Sequence, residues 1–417
     1  MAEKHSRPFG FSSHRLRPVL LAGATLIGTA GLIRAASKKK GISTQAFLWL
    51  KLFDALNPFM KRHCWSIVNR LHLDGPRQFW RWQKKRADDC MEGKLGDLEA
   101  FITTPPEGAG TPLHILYLHG GDFVAGMMPY YGWMLSDLAH QLSCTIDMPL
   151  IPLAPSFQYE TGMARILEAY KALEQEVGAE NIVIMGDSAG GWLSYALVRE
   201  IAQAKLPQAK AAILISPFLD LACMGVDQPD LEKNDPILDI SFLREGGRMW
   251  AGERSLTDPK VNLITAPHQD GLPPIMVFTG TRDVLNSDAR RLKEKEPWIV
   301  LEQYTGMPHI FPVGKRLPEA HHAIGRMIEF IRNPQKAETK EEQENLYETS
   351  RGFTWQIPVK KADPTLFSAD LTRQAFEKKE GDWRSSKTSH TIDEDWDLAA
   401  EEDKKEDEKE NEHSLSK

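Results

Sequence analysis

The stretch Gly186-Asp187-Ser188-Ala189-Gly190 decides how this chain folds. It follows a short apolar run, Asn181-Ile182-Val183-Ile184-Met185, and precedes a helix-like pattern over residues 191–198. A strand, a tight turn and a helix form the context in which a G-x-S-x-G turn lifts a serine above the edge of a sheet. Small residues flank the serine because bulky side chains would collide in so sharp a turn. The stretch therefore predicts a nucleophilic Ser188, and the alternative is a plain glycine-rich connection between strand and helix.

Strands and helices alternate on both sides of this turn. Strands are predicted at 98–102, 113–118, 144–150, 181–185, 211–215, 274–278 and 298–301, and helices at 130–142, 161–177, 191–198 and 319–331. Such alternation predicts an α/β fold with a mainly parallel sheet that helices cover on both faces. Residues 222–272 interrupt the rhythm around a short helix at 241–250 and are interpreted as a cap insertion. The predicted catalytic domain spans residues 98–333.

A serine hydroxyl becomes a nucleophile when a histidine takes its proton and a carboxylate orients that histidine. With this kind of turn, the acid and then the histidine follow on loops after later strands. Asp283 comes after the strand at 274–278, and His309 comes after the strand at 298–301. Both positions lie at the carboxyl ends of strands, where α/β sheets build their sites. We therefore predict Asp283 as the acid and His309 as the base.

Other acids and histidines compete for these two roles. Asp220 follows the preceding strand, and His268 lies in the predicted cap. His321 and His322 lie on a predicted helix and are interpreted as packing or solvent-facing residues. Asp220 and His268 remain the alternatives for the acid and the base.

The loop His119-Gly120-Gly121-Asp122-Phe123 follows a predicted strand and is the candidate oxyanion loop. Its glycines let the backbone approach a substrate closely. We predict that the backbone N–H groups of Gly120 and Gly121, together with that of Ala189, stabilise a developing oxyanion. His119 is predicted to brace the turn, because it would lie on the wrong side of the serine to act as a base.

Several motifs occur together in the order of one known family. They are the 119–123 loop, Leu153-Ala154-Pro155, Gly186 to Gly191, Asp258-Pro259, Gly271-Leu272-Pro273-Pro274, Asp283 and His309. Over roughly residues 98–332 the chain resembles the hormone-sensitive-lipase-like esterases of the α/β-hydrolase fold. The amino terminus resembles that of the arylacetamide deacetylase and fungal steryl acetyl hydrolase branch. This resemblance implies a membrane-associated serine carboxylester hydrolase that removes acetyl groups from sterols or other lipophilic alcohols, without a cofactor or metal.

One residue departs from the family, and two other functions remain open. The family usually has a third glycine where this chain has Asp122, so that the extra carboxylate either weakens anion stabilisation or contacts a polar substrate group.

A kynurenine-formamidase-like amidase also tolerates a residue other than glycine at the position of Asp122. A non-catalytic ligand-binding protein on a hydrolase fold is the third reading, although such relatives usually lose the base and His309 is present.

The first hundred residues carry the signals for a membrane. Residues 19–33 are uncharged and mostly apolar, and basic residues flank them on both sides. Their length lies between a signal-peptide core and a spanning helix. We predict an uncleaved membrane anchor within residues 1–44, located at the endoplasmic reticulum or lipid droplets, and the alternative is a processed targeting peptide. Residues 45–97 are predicted as an amphipathic or lid region, whose apolar stripe from Phe47 to Phe59 lies on a bilayer or packs on the domain.

The carboxyl-terminal tail carries the acidity of the chain. Residues 334–417 hold 22 Asp and Glu against 14 Lys and Arg, a net charge of −8, whereas the whole chain carries −7. The nearly neutral remainder gives no electrostatic basis for binding nucleic acid. The mixed-charge tail is predicted to be flexible, and docking of its scattered aromatic residues on the domain or on an unidentified partner is the alternative. A disulfide between Cys64 and Cys90 in an oxidising compartment remains an open alternative.

Overall fold

The computed structural model describes residues 32–62, 89–105 and 107–334. Its strands are β1 (Asp89–Leu95), β2 (Leu98–Thr104), β3 (His114–Leu118), β4 (Thr145–Pro149), β5 (Ile182–Asp187), β6 (Ala211–Ile215), β7 (Ile275–Gly280) and β8 (Val300–Tyr304). Its helices are α1 (Thr44–Arg62), α2 (Tyr131–Leu142), α3 (Tyr159–Val177), α4 (Ala189–Gln203), α5 (Gln228–Glu232), α6 (Ile240–Ala251), α7 (Asn286–Lys295) and α8 (Pro318–Arg332). Residues 32–39 are also helical, and short 3-10 helices lie at Ala179–Asn181 and Phe311–Val313.

The strands form one sheet in the order β1-β2-β4-β3-β5-β6-β7-β8. The pairs β1–β2 and β2–β4 are antiparallel, and every pair from β4 to β8 is parallel. The predicted mainly parallel sheet is therefore confirmed. In the centre, Gly186 of β5 lies beside Leu118 of β3 and Leu214 of β6. The turns after these three strands meet at one edge of the sheet, where Ser188 lies.

Both faces of the sheet are buried, as the apolar sequence of β5 requires. Successive strand side chains point to opposite faces. Ile182 and Ile184 accordingly belong to one apolar cluster, and Val183 and Met185 belong to another. The first cluster includes residues of α3 and α4, and the second includes residues of α2 and α8. Helices thus cover both faces, as the alternating pattern predicts.

The sheet begins earlier than the sequence indicates. The strand β1 pairs along its whole length with β2, so that the sheet starts at Asp89 and not near Leu98. β1 is an edge strand, which pairs on one side only and keeps part of its surface in solvent. Its sequence, Asp-Cys-Met-Glu-Gly-Lys-Leu, is therefore polar and lacks the apolar run that predicts a strand. Cys64 lies outside the described residues, and its pairing with Cys90 stays an open alternative.

Aromatic side chains fasten the segment predicted as a cap to the rest of the fold. The carboxylate of Asp239 caps α6 by accepting from the N–H groups of Ser241 and Phe242. Near the other end of α6, the Trp250 ring stacks on Phe123 with centroids 5.0 Å apart. The same ring meets Trp192 edge-on at 6.0 Å. Residues 222–272 are thereby joined both to the candidate oxyanion loop and to the helix that follows Ser188.

Most of the predicted anchor and tail lie outside the described residues. This holds for residues 19–31 of the apolar segment, for residues 63–88 of the predicted lid and for residues 335–417. All described residues belong to the first of the two units into which the chain divides, Met1–Trp355. Among the described helices, none combines the length and the apolar character needed to cross a membrane.

Candidate active site

The turn after β5 holds Ser188 in an unusual backbone conformation. Ser188 has φ 53° and ψ −120° and is buried. A positive φ at a residue with a side chain costs of order 1–3 kcal/mol and persists where the surroundings impose it. A Cβ at Gly190 would overlap the carbonyl oxygen of Leu118, and a Cβ at Gly186 would overlap that of Gly190. Both flanking glycines are therefore required by the close approach of neighbouring backbone.

The loop after β6 connects Ser188 to His309. The Ser188 N–H donates to the Ile215 carbonyl at 2.9 Å. One residue further, the Ser216 hydroxyl accepts from the N–H of Ile310 at 3.1 Å. Because Ile310 follows His309 directly, the serine turn and the histidine turn are attached to two adjacent residues, Ile215 and Ser216. Ser216 was not singled out from the sequence.

His309 and Asp283 form a buried pair. His309 Nδ1 lies 3.1 Å from Asp283 Oδ2, and the other carboxylate oxygen of Asp283 accepts from the Leu285 N–H at 2.9 Å. Burial lowers the pKa of His309, but the carboxylates of Asp283, Asp235 and Asp187 outweigh it and hold that pKa above its ordinary value. With Nδ1 directed at the carboxylate, Nε2 is the nitrogen left for proton transfer.

Asp235 is a second carboxylate beside this pair, and no sequence pattern indicates its role. Its Oδ2 accepts from the Val284 N–H at 2.8 Å, and its Oδ1 accepts from the N–H groups of Ile237 and Leu238. Burial and the nearby Asp283 raise the pKa of Asp235 to about 6. Asp235 thus fixes the turn that carries Asp283 and adds negative charge near His309. In the sequence it is only an Asp-Pro pair inside the predicted cap.

Asp187, the residue before the serine, is buried with three donors around its carboxylate. Tyr117 Oη donates to Oδ1 at 2.8 Å, Tyr131 Oη donates to Oδ2 at 3.0 Å, and the Gly120 N–H donates to Oδ1 at 2.9 Å. Burial raises the pKa of Asp187, and the three donors and His309 counteract the rise. The two tyrosines were not predicted, although a tyrosine hydroxyl in an apolar strand such as β3 requires a buried partner.

The bond from Gly120 to Asp187 changes the expected oxyanion donors. Gly120 was predicted to donate to the oxyanion, but its N–H is committed to the Asp187 carboxylate. Within the described part of the chain, no hydrogen bond occupies the backbone N–H groups of Gly121, Asp122 or Ala189. A Cβ at Gly120 would lie 3.0 Å from Ser188 Cβ, so that this loop lies directly against the serine. The geometry therefore favours Gly121, Asp122 and Ala189 as donors, one residue further along the loop than predicted.

His119 lies at the start of the same loop and is buried. Its Nδ1 is 2.8 Å from the carbonyl oxygen of Gly120. Burial lowers the pKa of His119 to about 4, so that the ring is neutral at neutral pH. A neutral ring bonded to its own loop fits the bracing role predicted for it.

The Asp122 carboxylate is buried without compensation. The residue is 5% exposed, and neither side-chain oxygen has a hydrogen-bond partner in the described structure. Burial, and secondarily Glu245, raise the pKa of Asp122 well above its ordinary value. The carboxylate packs against Gly246 of α6, where an added Cβ would overlap it. The residue that replaces the family's third glycine therefore presses on the predicted cap segment.

The competing acid and base candidates are bonded elsewhere. Asp220 accepts from Arg291 Nη1 at 2.6 Å and from Asn262 Nδ2 at 2.6 Å. His268 Nδ1 lies 3.0 Å from the carboxylate of Glu296. His321 and His322 bond to the Lys315 carbonyl and to the Tyr304 hydroxyl, respectively. The structure thus brings Asp283 and His309 together and leaves the alternative residues in other contacts.

Comparisons with known proteins agree with this architecture. A family model described as an α/β-hydrolase fold matches residues 115–313. An esterase of Acinetobacter venetianus is 30% identical over 223 residues, which cover 52% of this chain and 73% of that protein. An acetyl-hydrolase of Streptomyces hygroscopicus is 30% identical over 230 residues, which cover 52% and 75%.

Solved structures of esterases are similar as well. An esterase of the bacterial hormone-sensitive lipase family is 26% identical with a TM-score of 0.57, covering 61% of this chain and 89% of that one. A homologue of hormone-sensitive lipase from a metagenome library is 25% identical with a TM-score of 0.56, covering 64% and 96%. The chain belongs to the α/β-hydrolase fold family and is a carboxylic ester hydrolase.

Proposed function

We propose that Ser188, His309 and Asp283 carry out the hydrolysis. Ser188 Oγ attacks the ester carbonyl while His309 Nε2 takes its proton, and Asp283 stabilises the imidazolium that forms. The backbone N–H groups of Gly121, Asp122 and Ala189 hold the negative charge of the tetrahedral intermediate. His309 then returns the proton to the leaving alcohol, and a water molecule releases the acyl group by the same steps in reverse order.

One arrangement carries this proposal. The buried His309–Asp283 pair and the strained Ser188 turn are attached to the same loop, through Ile215 and Ser216. A serine, a carboxylate and a histidine in this chain order at the carboxyl edge of a parallel sheet are the parts that acyl transfer needs. The raised pKa of His309 supports the assignment, because the carboxylates that raise it also stabilise the imidazolium in the transition state.

We further propose that the substrates are acetyl esters of sterols or other lipophilic alcohols. The acetyl-hydrolase relative supports the small acyl group. The resemblance of the amino terminus to the arylacetamide deacetylase and steryl acetyl hydrolase branch supports the lipophilic alcohol. Residues 19–33, which are apolar and flanked by basic residues, support an attachment to the endoplasmic reticulum or lipid droplets.

Rates on matched substrates test the chemistry. Full-length protein is assayed with 4-nitrophenyl acetate, butyrate and octanoate, with phenyl acetate against acetanilide, and with a sterol acetate dispersed in vesicles. We expect hydrolysis of the acetate in preference to the longer chains, hydrolysis of the ester in preference to the anilide, and turnover of the sterol acetate. Equal or faster cleavage of acetanilide would favour an amidase, and a preference for octanoate would contradict the acetyl assignment.

A truncation tests the membrane part separately. Removing residues 1–44 is expected to release protein from membranes and to lower turnover of the vesicle-bound acetate, while 4-nitrophenyl acetate is still hydrolysed. Full-length protein recovered in the soluble fraction, or a natural amino terminus found near Arg34, would contradict an uncleaved anchor.

A further inference from the structure

Helix α1 has two unlike faces. Ala46 and Leu50 point inward and are buried in the core cluster on one face of the sheet. The outer face carries four large apolar side chains, Leu48, Leu52, Leu56 and Phe59, which are 50%, 56%, 44% and 61% exposed. Their spacing of four, four and three residues places them on one stripe of the helix. We call these four residues the α1 stripe.

This concentration of exposed apolar surface is unusual within the described structure. Nine large apolar residues are exposed there, and four of them lie on α1. The others are spread over the surface, as Met91, Val226 and Trp298 illustrate. Single exposed apolar residues are ordinary, whereas a contiguous patch marks a surface that contacts something.

Polar contacts from α1 and an apolar contact from the residue Ile42 before it reach the turns that carry the candidate acid and base. Asp54 accepts from Arg282 Nη2 at 2.7 Å, and Arg282 directly precedes Asp283. Asn57 Nδ2 donates to the Asp235 carbonyl at 3.4 Å. Just before α1, Ile42 packs where a Cβ on Gly306 would stand, three residues before His309. The helix is therefore attached to the edge of the sheet at which the active site is built.

The charges of α1 and of the segment just before it are mainly positive. Between residues 32 and 59 the sequence holds five basic residues, Arg34, Lys38, Lys39, Lys40 and Lys51, and one acidic residue, Asp54. The basic residues are exposed, and the single carboxylate is paired with Arg282 and, at 3.7 Å, with Lys51. An exposed apolar stripe with basic neighbours is the composition that binds an anionic lipid surface.

We propose that the α1 stripe docks on an anionic lipid surface and turns the active-site edge toward it. Apolar side chains enter the interface, and the lysines contact the anionic headgroups. Because α1 is bonded to the turn of Asp283 and the residue Ile42 just before it packs on the turn of His309, docking brings the site next to esters dissolved in the lipid. The inference rests on the proposed esterase of lipophilic alcohols and adds the surface that meets the membrane.

Photolabelling of the full chain tests the docking directly. Vesicles of phosphatidylcholine and phosphatidylserine contain a lipid with a diazirine in its acyl chain, and mass spectrometry locates the adducts after irradiation. We expect adducts on the α1 stripe and none on Met91, Val226 or Trp298. Vesicles without phosphatidylserine should label the stripe at least about fivefold less, since each lysine near an anionic surface contributes about 1 kcal/mol. An unlabelled stripe overturns the proposal, whether a second copy, another protein or residues 63–88 cover it.

A matched pair of variants separates docking from catalysis. The triple variant Leu48→Gln, Leu52→Gln, Leu56→Gln is compared with a control, Met91→Gln, Val226→Gln, that removes exposed apolar groups elsewhere. The stripe variant should keep its rate on 4-nitrophenyl acetate without vesicles within about twofold and lose at least about tenfold on a vesicle-dissolved acetate. The control should lose neither rate. Equal vesicle rates in both variants overturn the docking, whereas a wild-type protein inactive on 4-nitrophenyl acetate contradicts the proposed function and leaves the adduct map to decide the docking.

Discussion

Two buried carboxylates beside Ser188, on two different turns, have opposite surroundings. Asp187, on the serine turn, accepts hydrogen bonds from two tyrosine hydroxyls and one backbone N–H. Asp122, on the oxyanion loop, is equally buried, yet neither of its oxygens has a hydrogen-bond partner in the described structure. Burial raises the pKa of both groups, but donors offset the rise only at Asp187.

The contacts of Asp187 give its carboxylate a structural role, whereas the surroundings of Asp122 give its carboxylate none. The Asp187 carboxylate joins the serine turn, the oxyanion loop and α2 through Gly120 and Tyr131. Its hydrogen bonds compensate for the cost of burying it. Asp122 receives no such compensation, and an unpaired buried carboxylate keeps its proton. We infer that Asp187 builds the site and that the fold would be more stable without the Asp122 side chain.

Ser188 is the nucleophile that both loops are proposed to serve, and replacing it should cause the largest loss of activity. Ser188→Ala should remain folded and lose about 10⁴–10⁶-fold in kcat, the loss seen when triad members are removed from a serine hydrolase. His309→Ala should lose a similar factor. His268→Ala and His321→Ala serve as controls and should keep most of the activity on 4-nitrophenyl acetate. A folded Ser188→Ala variant with more than a few per cent of wild-type activity would show that another nucleophile operates.

Removing the partnered carboxylate should disrupt the site itself. Asp187→Ala leaves the Tyr117 and Tyr131 hydroxyls and the Gly120 N–H without their buried acceptor. We expect a decrease of about 3 kcal/mol or more in the free energy of unfolding, measured by urea denaturation, because each orphaned donor costs about 1–3 kcal/mol. The matched control, Asp270→Ala, replaces a fully exposed side chain and should change the free energy of unfolding by less than about 0.5 kcal/mol. Similar stabilities for the two variants would mean that the Asp187 bonds contribute little.

The variant Asp235→Asn tests whether the charge of Asp235 raises the pKa of His309. Its negative charge helps to hold the pKa of His309 above the ordinary value, because it favours the imidazolium. Asp235→Asn removes that charge, so the pKa of His309 should fall. Since the base must be neutral to accept the serine proton, the rising limb of kcat/KM against pH should move to lower pH, by up to about one unit. Lower activity with an unmoved limb would show that Asp235 only supports the fold.

Removing the Asp122 carboxylate should have the smallest effect on catalysis. It should stabilise the fold, whereas Asp187→Ala should destabilise it. Asp122→Gly relieves a positive φ of 54° and removes a buried acid, so we expect about 1 kcal/mol or more of added stability. In the unfolded chain the Asp122 carboxyl loses its proton above the ordinary aspartate pKa, near 3.9. In the folded protein the same carboxyl keeps its proton to higher pH. The wild type therefore loses stability as pH rises above about 4, and the advantage of the glycine variant should widen.

The activity of Asp122→Gly shows whether the Asp122 carboxylate contributes to hydrolysis. Asp122→Gly keeps the backbone N–H that we assign to the oxyanion, so kcat/KM on 4-nitrophenyl acetate should stay within about tenfold of wild type or rise. One oxyanion donor is worth about 2.7–4 kcal/mol, so even its partial displacement would be visible. A larger loss, with stability maintained, would mean that the Asp122 carboxylate contacts the substrate.

Local pattern and strand order were enough to predict the central strands of the sheet and the pair formed by Asp283 and His309. The alternation of strands and helices located the central strands, and the order of later strands placed Asp283 and His309 at one edge. Contacts between distant residues were not accessible in this way. Asp235 meets the turn of Asp283 from 49 residues away, and Tyr117 meets Asp187 from 70 residues away.

The error at the oxyanion loop has the same origin. The glycines of the loop marked a close backbone approach, but the sequence did not show that the Asp187 carboxylate would take the Gly120 N–H. The strand β1 was missed for a different reason, because an edge strand with polar residues lacks the apolar run that identifies the central strands. Sequence pattern alone thus does not show which hydrogen-bond acceptor a given N–H group will take when several lie within reach.

Covalent labelling of Ser188 tests the central claim most directly. A fluorophosphonate transfers its phosphonyl group to a serine whose proton is removed by a neighbouring base, and mass spectrometry of the digested protein identifies the modified residue. We expect one adduct, on the peptide that contains Ser188, and labelling at least about a thousandfold slower in His309→Ala. An adduct on a different serine, or equal labelling rates in wild type and His309→Ala, would contradict the assignment of Ser188 and His309.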